Sequence, residues 1–108
     1  MEIISAKKGD FTIVSPKGRL DVTSSVEFDK ELGEITKSEK SIIVDCSELE
    51  YISSTGLRVF LSYLKKIGAA GGKFHICALN DNLKEIFDIS GFTKIFKIFD
   101  SCEEAISH

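Results

Sequence analysis

Positive charge is nowhere concentrated in this 108-residue chain. It carries 14 Lys and Arg against 17 Asp and Glu, for a net charge of −3. Nothing in that balance draws it to nucleic acid or to anionic lipid, and Lys65-Lys66 reads as part of a solvated helix face. Long apolar runs are missing too: none approaches the roughly 18 residues of a membrane-spanning helix. The opening "MEIISAKKGD" is charged and lacks an apolar core, so no secretory leader is expected.

Cysteine and histidine are scarce. Cys46, Cys77 and Cys102 are odd in number, far apart and without C-x-x-C spacing. That argues against a disulfide framework or a zinc site and fits a reducing, cytoplasmic setting. Cys46 and Cys77 fall inside apolar runs and read as buried, inert thiols. His75 and His108 have no ligand-spaced neighbours, so no metal is expected, and no cofactor either. The glycine patterns that cradle phosphates, G-x-x-x-x-G-K-[ST] and G-x-G-x-x-G, do not occur. Neither does the nucleophile elbow G-x-S-x-G, and neither histidine stands where a serine nucleophile would need its base. No enzyme is expected.

What is present is the composition of a folded globule: 43% hydrophobic and 29% charged residues, with no repeat, linker or low-complexity stretch. One domain spanning residues 1–108 is expected, large enough to hold a core without staples, since unaided folding becomes hard only below roughly 40 residues.

"EIISAKKGDFTIVSPKGRL" reads as two short strands joined by the turn Lys8-Gly9-Asp10. "TSSVEFDKELGEITKS" reads as a helix, with Ser24 and Glu27 at capping-box spacing and Phe28, Leu32 and Ile35 on one face; Gly33 weakens it. "SIIVDCS" is a continuous apolar strand of the kind covered on both faces. "ELEYIS" follows as a loop. "STGLRVFLSYLKKIGAAGG" is the strongest helix, with Leu57, Phe60, Leu61, Leu64 and Ile67 as its core face and Gly71-Gly72 as its stop. Then come a strand "KFHICAL" and a short helix "NDNLKEIFDISG", capped by Asn80 or Asp81, with Leu83, Ile86 and Phe87 inward. A last strand "KIFKIF" precedes a terminal helix opened by Ser101 and Glu104. The order β-β-α-β-α-β-α-β-α implies an α/β fold. Its sheet would be small, mixed and mostly parallel, with an antiparallel N-terminal pair and about four helices.

Folds of this kind bind at the loops that leave the C-terminal ends of their strands. Ser53, Ser54 and Thr55 occupy such a loop, at the start of the strongest helix. Unpaired N–H groups and the positive end of the helix dipole favour an anion there, including a phosphate carried by a side chain. Capping alone also fits the spacing, but one hydroxyl suffices for that, at about 1 kcal/mol. On the same helix Val59, Ser62, Tyr63 and Lys66 fall roughly opposite the core stripe and form a candidate landing face for a partner. Asp21, in "GRLD", with Ser24 behind it, would lie in a loop on the same side, where turn chemistry explains it equally well.

Taken together, "GRLD", "IIVDCSELEYISSTGLRVFLSYLKKIGAAGGKFHICALN" and "LKEIFDISGFTKIFKIFDSCEEAI" resemble the STAS domain, specifically the stand-alone bacterial anti-sigma factor antagonists. The resemblance spans nearly the whole chain. It implies that Ser54, in Ser53-Ser54-Thr55-Gly56-Leu57, occupies the position phosphorylated by an anti-sigma factor serine kinase using ATP. Thr55 would be the following hydroxyl, and Ser53 stands where that motif often has aspartate. It implies a partner-binding surface of Asp21, Ser24, Ser53, Ser54, Thr55, Gly56, Arg58, Val59, Ser62 and Tyr63, a PP2C-type phosphatase that resets the switch, and a free monomer. The alternatives are a STAS module in another pathway, such as a stress-signalling complex or lipid transport, and a small nucleotide-binding protein or hydrolase using the Ser53–Thr55 loop.

Overall fold

The structure, a computed structural model, describes residues 1–108. Strands β1 (Glu2–Lys8) and β2 (Phe11–Leu20) form an antiparallel hairpin turned at Gly9, whose φ of +60° is a conformation glycine adopts without strain. Strand β2 organises the rest of the sheet. Its first half, Thr12–Val14, pairs in parallel with β3 (Ile42–Asp45), and its end, Gly18–Leu20, pairs in parallel with β4 (Leu49–Ile52). The change of partner falls across Pro16, which has no N–H to donate, and Gly18, where φ is +95° and the register shifts. Strand β5 (Phe74–Cys77) lies beside β3, and β6 (Lys97–Phe99) lies outside β5, all parallel. The helices are α1 (Val22–Ile35), α2 (Ser54–Ala69), α3 (Asp81–Ile89) and the short α4 (Cys102–Ile106), with a 3₁₀ turn at Phe92–Lys94. This is the expected α/β class: a mixed sheet with an antiparallel N-terminal pair and four helices. No helix is long and apolar enough to cross a membrane.

Alternation along the central strands divides the interior. Ile42 and Val44 of β3, and Phe74 and Ile76 of β5, face the main core with α1, α2 and α3. Ile43 and Cys77 face the other way, into a small cluster with Phe11 and Ala105 of α4. Phe60 of α2 sits at the centre of the main core, its ring 5.6 to 6.4 Å from those of Phe28, Phe74, Phe87 and Phe96. On the thinner side His75 is buried between Phe11 and Phe99 with neither ring nitrogen partnered, and desolvation holds its pKa below the ordinary value.

Helix α2 ends as its glycines require. Gly71, at φ +82°, donates to the Gly68 carbonyl and Gly72 to that of Ile67, the paired bonds of a Schellman cap. A Cβ on Gly72 would collide with the Lys40 carbonyl, so that position also permits the close approach of the β3 entry.

Several expectations need correction. "ELEYIS" is not a loop: Leu49–Ile52 pairs with the far end of β2 and buries Leu49 and Ile52. Helix α1 is capped by Asp21 in a reciprocal box with Ser24, one turn earlier than the Ser24–Glu27 spacing implied. The last strand is only Lys97–Phe99, because Phe96 turns into the main core. Finally, Tyr63 is not on an outer face. It is 5% exposed, and its hydroxyl donates to the Asp29 carbonyl of α1 over 3.0 Å, with burial pushing its pKa up to about 12. Val59 is half-buried against the same core, whereas Leu61 and Leu64, expected at its centre, are also only half-buried. The reason is that α1 lies along α2 and covers the flank that would otherwise be free. Gly33 belongs to this contact, since a Cβ there would come within 3.3 Å of the Tyr63 hydroxyl.

Candidate functional site

Two helices start side by side at the C-terminal ends of two neighbouring parallel strands. Leu20 of β2 is in register with Ile52 of β4, and the Ser53 N–H donates to the Leu20 carbonyl over 2.8 Å. The next residue of each chain segment is an N-cap: Asp21 for α1 and Ser53 for α2. Sheet pairing thus brings together the two loops that sequence alone could only place on the same side.

The Asp21 cap is closed. Its carboxylate accepts from the Ser24 backbone N–H at 2.9 Å, and the Ser24 hydroxyl accepts from the Asp21 N–H at 3.0 Å. The same hydroxyl donates to the Arg19 carbonyl at 2.6 Å. The Ser24 backbone N–H, and its hydroxyl 3.0 Å from the same carboxylate oxygen, favour the ionised carboxyl and hold the Asp21 pKa below its ordinary value.

The Ser53 cap is single. Its hydroxyl accepts from the Gly56 N–H at 3.2 Å. This is the work an aspartate would do at that position, performed without charge. Ser54, the first residue of α2, is exposed and stands outside the cap; Thr55 is half-buried. Gly56 is buried where α2 starts: a Cβ would lie 2.8 Å from Ile52 Cγ1, 3.2 Å from Ser25 Oγ and 3.3 Å from Leu20 Cβ. Glycine is therefore what lets α2 begin tight against β2, β4 and α1. Ser25 is fully buried in this seam and its hydroxyl has no partner.

Around Ser54 the surface is mixed. Arg58 is exposed one turn further along α2, at the i, i+4 spacing that brings side chains together on a helix face. Ser62, a turn beyond, is half-buried. A shallow, mainly apolar groove runs between the start of α2 and α3, lined by Tyr51, Ile52, Ser54, Leu57, Ile86 and Ile89. The Arg19 guanidinium lies 4.5 Å from the Tyr51 ring centre. Val22 and Val26 of α1 are 65% and 66% exposed, and Ile89 of α3 is 80% exposed. Sequence reasoning passed over all three. The two valines could have been found, because they fall more than about 100° from the centre of the Phe28–Leu32–Ile35 stripe on a helical projection.

Of the expected surface, Asp21, Ser24, Ser53, Ser54, Thr55 and Arg58 lie at or beside the paired helix starts. Gly56 shapes the site from beneath, and Tyr63 is withdrawn into the α1–α2 seam.

This fold and site can be set against known proteins. The model of the STAS domain matches residues 2–105. A Bordetella bronchiseptica protein, BtrV, assigned by name to the anti-sigma factor antagonists, is 32% identical over 106 residues, covering 97% of this chain and 91% of its own. The crystal structure of a Thermotoga maritima protein assigned to the same class superposes with a TM-score of 0.92 at 25% identity, covering 97% of this chain and 92% of its own. The fold is also that of the Bacillus cell fate determinant SpoIIAA in its phosphorylated form, with a TM-score of 0.76 at 16% identity and coverage of 98% and 97%. The chain belongs to the STAS domain family.

Proposed function

We propose that this protein is an anti-sigma factor antagonist that works by partner switching. Unphosphorylated, it binds an anti-sigma factor that is also a serine kinase, and a sigma factor is released. Transfer of the γ-phosphoryl group of ATP to Ser54 Oγ, with release of ADP, dissolves that complex. A PP2C-type phosphatase hydrolyses the phosphoserine and restores binding. The chain acts as a binding module and substrate. The names of its relatives support the antagonist reading. The phosphorylated state recorded for SpoIIAA supports a covalent switch on this fold.

The observation that carries the reading is the placement of Ser54. It is exposed at the first position of α2, freed from capping by Ser53, at a helix start that adjoins that of α1 and opens on the groove toward α3. A phosphate there adds about −1.5 to −2 charges and three acceptor oxygens. In the free protein that charge meets the helix N-terminus and has Arg58 one turn away, so the fold tolerates it. Within a docked interface the same charge must be desolvated, and every 1.4 kcal/mol lost is about tenfold in affinity. Binding is switched without unfolding.

The test combines the purified protein with its partner kinase and ATP, followed by mass spectrometric mapping. One phosphate on Ser54 is expected. Ser54→Ala should take none and still bind. Ser54→Glu should bind at least about tenfold more weakly while keeping its melting temperature, because a carboxylate is favourable in the first turn. Phosphate on Ser53 or Thr55, or undiminished binding by Ser54→Glu, would refute the assignment.

A further inference from the structure

On the face of the sheet away from Ser54, the last residue of β5 meets the first residue of α4. The Sγ atoms of Cys77 and Cys102 are 2.6 Å apart, well inside the roughly 3.5–4 Å at which non-bonded heavy atoms rest against each other. The pairing is specified by the fold. Cys77 and α4 belong to the small cluster with Phe11 and Ile43, whereas Cys46 is buried in the main core. The two sulfurs also differ in access, with Cys77 fully buried and Cys102 half-exposed.

We propose that Cys77 and Cys102 form a reversible intramolecular disulfide that fastens α4 to the sheet, with a low-molecular-weight disulfide as oxidant. The accessible Cys102 thiolate attacks one sulfur of the oxidant and expels a thiolate, leaving a mixed disulfide on Cys102. Cys77 then loses its proton and attacks the Cys102 sulfur, expelling the second thiolate. Two protein thiols and one small disulfide become one protein disulfide and two small thiols. Asp45, whose carboxylate lies in the same cluster, raises the alternative of a metal ion held by one carboxylate and two thiolates. The sulfur spacing speaks against it: two thiolates about 2.3 Å from a tetrahedral zinc would stand roughly 3.8 Å apart. The bond closes a loop containing α3, the 3₁₀ turn and β6, a constraint that raises the melting temperature by roughly 15 °C on the usual scale for such loops.

Incubation of the full chain with oxidised glutathione, followed by peptide mapping, tests this. The expected product is a monomer that has lost two hydrogens, with Cys77 linked to Cys102, Cys46 alkylatable once the chain is unfolded, a raised melting temperature and full reversal by dithiothreitol. Cys102→Ser, at a half-exposed position that disturbs little, should form no bond and show no shift; Cys77→Ala should instead stop at a glutathione adduct on Cys102. A stable glutathione adduct on the unsubstituted chain, a dimer linked through Cys102, or a bond to Cys46 would overturn the proposal. So would uptake of one zinc ion per reduced chain, from zinc chloride alone, with protection of both thiols and no disulfide on oxidation.

Discussion

Helices α1 and α2 start beside each other on adjacent strands, and they meet the same demand with different chemistry. At α1 a charged residue, Asp21, closes a reciprocal box with Ser24, whose hydroxyl also reaches the Arg19 carbonyl. At α2 a neutral residue, Ser53, supplies a single bond, while Ser54 beside it faces solvent. The first start is finished; the second keeps a hydroxyl in reserve. The difference teaches that three consecutive hydroxyl residues are not redundant. Capping uses Ser53 and leaves Ser54 exposed, and Gly56 lets the turn sit close against β2, β4 and Ser25 of α1.

Substitutions that disturb the two starts unequally would break or sharpen this contrast. The largest effect is expected from Gly56→Ala. Its Cβ would meet Ile52 and Leu20, so unfolding in urea should show a loss of about 1–3 kcal/mol, the usual range for overpacking. An unchanged midpoint would mean that α2 is not held against β4 as described. Next, Ser53→Ala should cost about 1 kcal/mol, and Ser53→Asp should recover that loss, since both native serine and aspartate cap well. Comparable in size but opposite in sign, Ser25→Ala should stabilise by about 1 kcal/mol, because it removes a buried hydroxyl that has no partner. A loss there would reveal a hydrogen bond within the seam.

The smallest effect should distinguish the starts by pH. Hydrogen bonds from Ser24 lower the Asp21 pKa in the folded state, so the unfolded chain binds the proton more readily. The resulting stability is therefore present above about pH 4 and is lost as the pH falls through the lowered value. Thermal melts of wild type and Asp21→Asn should differ at neutral pH and converge in acid. The corresponding Ser53→Ala difference should not depend on Asp21-like titration and should persist.

Local patterns made most of the fold legible, because each helix carries its own cap, stripe and stop. Asn80, Ser101 and the Gly71-Gly72 pair do in the structure what their sequence context implies. The readings that failed were decided by distant residues. Leu49–Ile52 is too short to announce itself as a strand, and only β2, some thirty residues earlier, gives it partners. Tyr63 looked outward because a helix read alone has one buried face; α1 supplies a second, and the Asp29 carbonyl satisfies the hydroxyl that burial would otherwise penalise. Of the site, the loops and their residues were visible, but their adjacency was not. That depends on the Leu20–Ile52 register, which no local pattern encodes. Ile89 escaped notice for a simpler reason: a single exposed apolar residue carries no signal until a surface shows what lies beside it.

The double pairing of β2 also has a consequence in time. The β1–β2 hairpin is local and can close within about 1–10 μs. Its other edge must wait for β3 and β4, reached only after the α1 crossover, and such non-local parallel pairings form slowly. The last of these pairings, Leu20 with Ile52, is the one that brings Ser53 against β2. Ser54 therefore acquires its setting only once this non-local pairing has formed, so a chain that has closed the hairpin alone does not yet hold the two helix starts side by side.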